Sequence, residues 1–128
     1  MKYLGIDYGS KRIGLSVSDP TGSIAFPLEV VATDGALVRI KQLMQEKRIE
    51  AIVIGDARSH GGAENAVTTE AEKFAELIVR ETGVPVSRAF EAWSSIEASR
   101  YAPENTPHDD SAAAAIILQR FLDMHTTT

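Results

Sequence analysis

Apolar and polar residues alternate through the first quarter of the chain, as they do in β-strands with one buried face. Leu4 and Ile6 share one face of the first such segment, whereas Tyr3 and Asp7 share the other. Turn residues separate the segments, so the pattern predicts three antiparallel strands in succession. These strands comprise residues 2–7, 12–18 and 23–31.

The second and third of these strands carry further positional signals. In residues 12–18, Ile13 and Leu15 alternate with polar residues or glycine, which predicts a strand that is buried on one face only. Pro27 has no backbone N–H to donate, so it predicts an edge position or a β-bulge for the third strand.

Beyond these strands, the apolar spacing changes from two residues to three or four, which is typical of amphipathic helices. Thr33 or Asp34 can cap the first helix, and Gly83 is placed to end the second. A short, fully apolar run predicts a strand buried on both faces of a parallel sheet. The predicted helices cover residues 33–47, 64–82, 94–101 and 110–124, and the predicted strands cover 51–54 and 84–90.

The order of these elements indicates an α/β fold. Three antiparallel strands followed by alternating helices and strands predict a mixed five-stranded sheet, with three antiparallel and then two parallel strands and with helices on both faces. The chain has 128 residues and shows no linker, repeat or low-complexity segment. We therefore expect a single domain over residues 1–128.

Composition narrows the class of protein. The sequence contains no cysteine, its N-terminus does not resemble a signal peptide, and no apolar run approaches the ~20 residues needed to cross a bilayer. We expect a cytoplasmic protein that does not associate with membranes.

The charge balance bears on nucleic-acid binding. The net charge is −5, which argues against sequence-independent binding to nucleic acid through phosphate contacts. The acidic excess lies mostly beyond residue 64, however, and many basic residues fall before it. They form either a solvated charged surface, which is the more usual case, or a basic track for nucleic acid. These residues are Lys11, Arg12, Arg39, Lys41, Lys47, Arg48 and Arg58.

Three carboxylates are predicted to meet at one edge of the sheet. Asp7 ends the first strand and Glu91 follows the last, and ligands of α/β sheets bind at the carboxyl ends of parallel strands. Asp110 begins the apolar stripe of the last helix, where Asp109 is equally able to serve as the cap. Taken singly, each carboxylate is also an ordinary turn, strand-end or cap residue.

Such a cluster has a specific chemical implication. Convergent carboxylates repel one another unless a cation neutralises them, and hard divalent ions such as Mg²⁺ prefer oxygen ligands. Two such ions, roughly 4 Å apart, can promote cleavage of a phosphodiester bond. The residues thus permit metal-assisted phosphodiester hydrolysis without requiring it.

Two loops could bind phosphate. Ser10, Lys11 and Arg12 offer a hydroxyl and two cations in the turn after the first strand, although this turn is not a Walker loop. His60 lies in a glycine-rich loop that could contact a substrate, and a plain loop is the simpler interpretation. No zinc-ligand pattern is present.

The motif Leu-Gly-Ile-Asp-Tyr-Gly-Ser-Lys-Arg-Ile-Gly-Leu-Ser-Val-Ser-Asp, residues 4–19, closely resembles the opening of proteins of the YqgF/RuvX family. Ala-Phe-Pro-Leu at 25–28 continues the likeness, and residues 110–119 are similar to the last helix of the family. The resemblance implies an RNase H-like nuclease core. It matches Asp7, Glu91 and Asp110 to the acidic positions of the family, as catalytic residues and as ligands of Mg²⁺ or Mn²⁺ in a possible two-ion site.

The resemblance also implies a substrate. The family is described both as nucleases that mature the 5′ end of pre-16S rRNA and as Holliday junction resolvases. The resemblance favours structured RNA over branched DNA as substrate, and the precursor of the small ribosomal subunit as partner. The expected setting is a bacterial cytoplasm, and the expected state is a monomer or weak homodimer. Two alternatives stay open: a catalytically weak RNA- or ribosome-binding module of the same fold, and a resolvase that acts on DNA.

The sequence departs from the family at two places. The family carries Leu-Pro after the glycine at position 55 and Asp-Glu-Arg around the second acidic residue, whereas this chain has Asp56 and Ala57 at the first place and Phe90, Glu91 and Ala92 at the second. The missing arginine could have bound a phosphate through two hydrogen bonds, and Arg58 is the candidate to replace it. The residues expected to contact nucleic acid are Ser10, Lys11, Arg12, Arg58, His60 and Ser94.

Overall fold

The protein was analysed as a computed structural model, which describes residues 1–55, 66–89 and 110–125. The strands are β1 (Tyr3–Asp7), β2 (Arg12–Ser18), β3 (Ala25–Ala32), β4 (Ala51–Gly55) and β5 (Val86–Arg88). The helices are α1 (Ala36–Glu46), α2 (Ala66–Thr82) and α3 (Asp110–His125), and a 3₁₀ turn (Thr33–Gly35) precedes α1. The loop predicted at 55–63 and the short helix predicted at 94–101 lie outside the described residues, apart from residue 55.

All five strands form one mixed sheet in the order β3-β2-β1-β4-β5. β2 runs antiparallel to β1 and to β3, whereas β4 runs parallel to β1 and to β5. This arrangement confirms the predicted fold class. β1 lies at the centre of the sheet, and the carboxyl ends of β1, β4 and β5 share one edge.

Apolar side chains bury both faces of the sheet. Helices α1 and α2 cover one face, where β1, β2 and β4 contribute large apolar side chains to the core. Helix α3 covers the other face through Ile117, Leu118 and Leu122, and the rings of Tyr3 and Phe121 meet edge to face at 5.7 Å. The fully buried large side chains are Leu4, Ile6, Ile13, Leu15, Ile40, Leu43, Ile52, Ile54, Ile78, Ile117, Leu118 and Leu122.

The prediction that β2 is buried on one face only was wrong. Ser16 and Ser18, on the face opposite Ile13 and Leu15, are both buried. The reason is that α3 packs directly on this face, so small polar side chains are enclosed there. A strand that alternates apolar residues with serine and glycine can therefore be buried on both sides.

Pro27 has the role that its chemistry predicts. It lies on the edge strand β3, opposite Ser16, and the pairing shifts by one residue beside it. Glu29 faces Leu15 and Pro27 faces Ser16, so Leu28 has no residue directly opposite. The edge position and the bulge are thus both present.

The predicted cap of α1 was wrong, whereas the predicted end of α2 is confirmed. The residue before α1 is Gly35, which makes no side-chain capping hydrogen bond. The Thr33 hydroxyl instead donates to the carbonyl of Gly9, at 2.7 Å. At the end of α2, Gly83 has a φ of +74° and its N–H donates to the Val79 carbonyl at 2.8 Å, as in a left-handed helix terminus.

Strand β5 is shorter than predicted. It spans Val86–Arg88 rather than residues 84–90, because it pairs only with β4 and the shared ladder ends at Arg88. Phe90 lies outside the described residues. In the described parts of the chain, no helix combines the length and the apolar character needed to cross a membrane.

Candidate active site

Asp7 is a carboxylate buried at the centre of the sheet. It ends β1 and is 3% exposed. It pairs with Gly14 of β2 on one side and with Gly55 of β4 on the other. Aspartate is seldom buried to this degree. Asp7 also lies at the carboxyl end of a parallel strand, where ligands of α/β sheets bind, so it is the first candidate for a functional group.

The contacts of β1 show which part of α3 lies over Asp7. Side chains alternate along a strand, so Tyr3, Gly5 and Asp7 all face α3. The Tyr3 ring meets Phe121, and a Cβ placed on Gly5 would lie 2.8 Å from the Cβ of Leu118. Towards its carboxyl end, β1 therefore lies under progressively earlier residues of α3.

The same alignment can be extended from Gly5 to Asp7, two residues further along β1, and it then reaches the start of α3. Two further strand residues span ~6.6 Å, which corresponds to four or five helical residues. This brings the carboxyl end of β1 under the first turn of α3, and α3 begins at Asp110. By this geometry we expect the main chain of Asp110 near the edge that carries Asp7. The Asp110 side chain lies outside the described part of the structure.

The third carboxylate predicted for this edge is Glu91. The prediction required the strands before Asp7 and Glu91 to be parallel. β5 runs parallel to β4, and β4 runs parallel to β1, so this requirement is met. Glu91 itself lies outside the described residues, as do Arg58, His60 and Ser94. Among the residues that the structure describes, no three histidine, aspartate or glutamate side chains form a metal-binding group.

The turn between β1 and β2 places Ser10, Lys11 and Arg12 at the same edge of the sheet as Asp7. All three residues are exposed. Thr33 contacts the turn twice: its hydroxyl donates to the Gly9 carbonyl at 2.7 Å, and its N–H donates to the Lys11 carbonyl at 3.1 Å. Sequence reasoning missed this contribution because threonine before a helix is usually a cap.

Tyr8 supports the same edge from the opposite face of the sheet. Its N–H donates to the Gly55 carbonyl at 2.9 Å, which extends the pairing of β1 with β4 beyond Asp7. Its ring packs against Phe74 of α2 with the ring centres 5.4 Å apart. Burial, and secondarily the charge of Glu70, raises the pKa of the Tyr8 phenol, which therefore stays neutral at physiological pH.

Two of the basic residues considered for a nucleic-acid track, Arg39 and Lys41, are paired with carboxylates. Arg39 makes two hydrogen bonds to Glu29, at 2.8 and 2.9 Å, and these lower the pKa of the Glu29 carboxyl. Lys41 donates to Glu81 at 2.8 Å. These pairs favour the solvated charged surface over the basic track for this part of the chain. Lys11 lies in the turn between β1 and β2, and Arg12 is the first residue of β2.

The sheet order, the parallel strand ends and the flanking helices define an RNase H-like fold, and solved structures share it. The chain is similar to RuvC of T. thermophilus in complex with a Holliday junction substrate, with a TM-score of 0.64 and 20% identity, over 98% of this chain and 97% of that one. It is also similar to the fowlpox virus Holliday junction resolvase, with a TM-score of 0.55 and 10% identity, over 97% and 99% of the two chains.

The sequence itself identifies the family. Residues 1–124 match the family model RuvX, described as Holliday junction resolvase, and the chain belongs to this family. Two similar relatives, from Bordetella petrii and Nitratidesulfovibrio vulgaris, are both named "Putative pre-16S rRNA nuclease". The first is 35% identical over 94% of this chain and 93% of the relative, and the second is 38% identical over 97% and 94%. The family predicted from the sequence motifs is confirmed.

Proposed function

We propose that this protein is a metal-dependent endonuclease that hydrolyses phosphodiester bonds in structured nucleic acid and processes the 5′ end of pre-16S rRNA. The observation that best supports the proposal is the burial of Asp7 at the carboxyl end of β1. Membership of the RuvX family and the names of the relatives support the substrate.

The proposed ligands of the metal are Asp7, Glu91 and Asp110. The donor set fits Mg²⁺ or Mn²⁺, because hard divalent ions prefer carboxylate oxygens and a buried carboxylate such as Asp7 is stabilised by a nearby cation. One or two such ions, when bound, would activate water and stabilise the leaving oxygen of the scissile phosphate.

In this proposal the chain itself binds and orients the nucleic acid. Ser10, Lys11 and Arg12 contact backbone phosphates from the turn that Thr33 holds in place. The remaining proposed contacts are Arg58, His60 and Ser94. We propose that residues 1–128 form one domain, monomeric or weakly dimeric, that works in the cytoplasm on the precursor of the small ribosomal subunit.

The test is cleavage of a structured pre-16S rRNA leader and of a four-way DNA junction, each with Mg²⁺, with Mn²⁺ and with a chelator. Wild type is compared with Asp7→Asn and with Asp123→Asn. Asp123 is a matched control because it is an exposed aspartate on α3, ~20 Å along the helix from Asp110. We expect metal-dependent cleavage of the RNA by wild type and Asp123→Asn and a loss of at least 10²-fold in Asp7→Asn, which should stay folded. If Asp7→Asn cuts as fast as wild type, Asp7 is structural.

Two other outcomes identify the alternatives. Cleavage of the junction in preference to the RNA would make the protein a resolvase, the function that the description of its family names. RNA binding without cleavage would make it a binding module. The replacement of the usual arginine by Ala92 and the net charge of −5 are the features that favour this last outcome.

A further inference from the structure

We infer that Ser16 is a positioning residue for the proposed site: its hydroxyl holds α3 on the sheet at the register that brings Asp110 to the edge occupied by Asp7. The inference rests on the proposed function, because it concerns the geometry of the proposed metal ligands. It assigns a role to a buried polar group that no catalytic step uses.

Ser16 makes a polar contact between the sheet and the backbone of α3. It is 0% exposed, and its hydroxyl donates to the carbonyl of Ala114 at 2.8 Å. Ala114 lies inside the helix, where a carbonyl ordinarily accepts only the N–H four residues later. The additional bond attaches one defined point of the helix to one defined point of β2.

The surrounding packing preserves this contact. Gly5 is the partner of Ser16 across β1 and β2, and a Cβ at Gly5 would lie 2.2 Å from the Ser16 hydroxyl and 3.1 Å from the Ala114 carbonyl oxygen. Only glycine therefore leaves room for the hydroxyl between the strand and the helix. Apolar contacts alone would allow α3 to slide along the sheet more easily, because they have no preferred direction. A hydrogen bond resists such a shift because it loses strength as its geometry changes.

The position of the contact relates it to the proposed ligands. Ala114 is four residues, about one helical turn, from Asp110, and Gly5 is two residues from Asp7. A shift of the helix at Ala114 would thus displace Asp110 by a similar amount. Metal ligands tolerate displacements of only a few tenths of an ångström, so the register of α3 matters for ion binding.

A second polar contact holds the far part of the helix. The Gln119 side chain accepts from the N–H of Ala25 at 2.9 Å and donates to the carbonyl of Ser23 at 3.0 Å. Gln119 lies five residues further along α3 from Asp110 than Ala114, the partner of Ser16. Of these two contacts, the one made by Ser16 is nearer to the proposed site.

The test compares Ser16→Ala with Ser18→Ala in the full chain. Ser18 is a matched control: it is a buried serine of the same strand, but its hydroxyl accepts from the Tyr3 N–H and donates to the Asp19 carbonyl, with no bond to α3. Mn²⁺ affinity is measured by electron paramagnetic resonance, and stability by thermal unfolding without metal. We expect both variants to melt a few degrees lower. Only Ser16→Ala should bind Mn²⁺ about tenfold more weakly.

Two results would overturn the inference: an equal loss of Mn²⁺ affinity in both variants, or no loss in Ser16→Ala. If wild type binds no Mn²⁺, the proposed function fails, and amide hydrogen exchange then decides the inference separately. Faster exchange at residues 114–118 in Ser16→Ala but not in Ser18→Ala would maintain the role of Ser16 in holding α3. Equal exchange in the two variants would refute it.

Discussion

At the scale of single residues, Asp7 and Asp19 show how the same side chain acquires different properties. Asp7 ends β1 and Asp19 follows β2, and both resemble turn residues in the sequence. Asp7 is buried at the end of β1, whereas Asp19 accepts hydrogen bonds from the Thr21 hydroxyl and from the N–H groups of Ser23 and Ile24, the latter two at 2.8 and 2.9 Å. These bonds lower the pKa of the Asp19 carboxyl to about 2.

The lowered pKa of Asp19 predicts a specific dependence of stability on pH. Because its folded pKa is below the unfolded value, ionised Asp19 stabilises the folded state fully above pH ~4, and this contribution is lost as the pH falls through about 2. We expect Asp19→Asn to melt below wild type at pH 7, and the difference to shrink between pH 4 and pH 2. Thermal unfolding at several pH values measures it, with the exposed Asp34→Asn as control. A difference that is independent of pH would contradict this interpretation.

At the scale of elements, α3 packs closely on β1 and β2. The helix approaches so closely because Gly5 has no side chain and Ser16 has a short one. The two strands were predicted from alternation alone, and the helix from its apolar stripe. The closeness of the three elements depends on residues that are about 100 positions apart, as Ser16 and Ala114 are.

Substitution of glycines should show this close packing directly. In Gly5→Ala, the new Cβ would overlap the Ser16 hydroxyl and lie 2.8 Å from the Cβ of Leu118. We expect a loss of about 1–3 kcal/mol in the free energy of unfolding, as for other overpacked cores. Gly35→Ala is the matched control, because no atom lies within 4 Å of its Cβ position and its φ is −105°.

The control should be neutral or should stabilise the protein by up to about 1 kcal/mol, because alanine restricts the unfolded chain. Urea unfolding of the two variants measures both effects. Equal effects of the two substitutions would show that α3 can move away from β1 at little cost.

At the scale of the whole molecule, the distribution of charge limits how the protein can bind nucleic acid. The net charge is −5, and Arg39 and Lys41 are paired with carboxylates of the same chain. Surface pairs of this kind contribute little to stability, but they reduce the positive potential available to phosphates. We therefore expect binding to depend on a few local contacts, such as the one proposed for Lys11, rather than on a broad basic surface.

The salt dependence of binding tests this conclusion. The logarithm of the association constant falls with the logarithm of the salt concentration, by about one unit of slope for each phosphate contact. We expect Lys11→Ala to weaken binding of the pre-16S rRNA leader and to reduce the slope by about one. Lys41→Ala is the control because Lys41 already pairs with Glu81.

Fluorescence anisotropy between 50 and 200 mM salt, roughly the range over which such contacts are screened, measures both slopes. The control variant should keep the wild-type slope. If both variants change it equally, the effect comes from total charge rather than from a contact at the turn.

Much of the fold and part of the site could be predicted because the relevant signals are local. Alternation with turn residues predicted the first two strands, Pro27 indicated the edge and the bulge of β3, and Gly83 indicated the end of α2. The motif around Asp7 identified the family. The signals for the strands, the bulge and the helix end all reflect backbone chemistry that acts within a few residues.

Periodicity, turn residues and motifs were thus enough to predict the order and type of the described elements and the family, and they supplied the candidate acidic residues. Tertiary structure decided the burial of β2 on both faces, the use of the Thr33 hydroxyl in the β1–β2 turn instead of a helix cap, and the short length of β5. It also decided that Arg39 binds Glu29 and that Ser16 binds α3. The physical reason is that these properties depend on which distant residues come into contact, and periodicity carries no information about such partners.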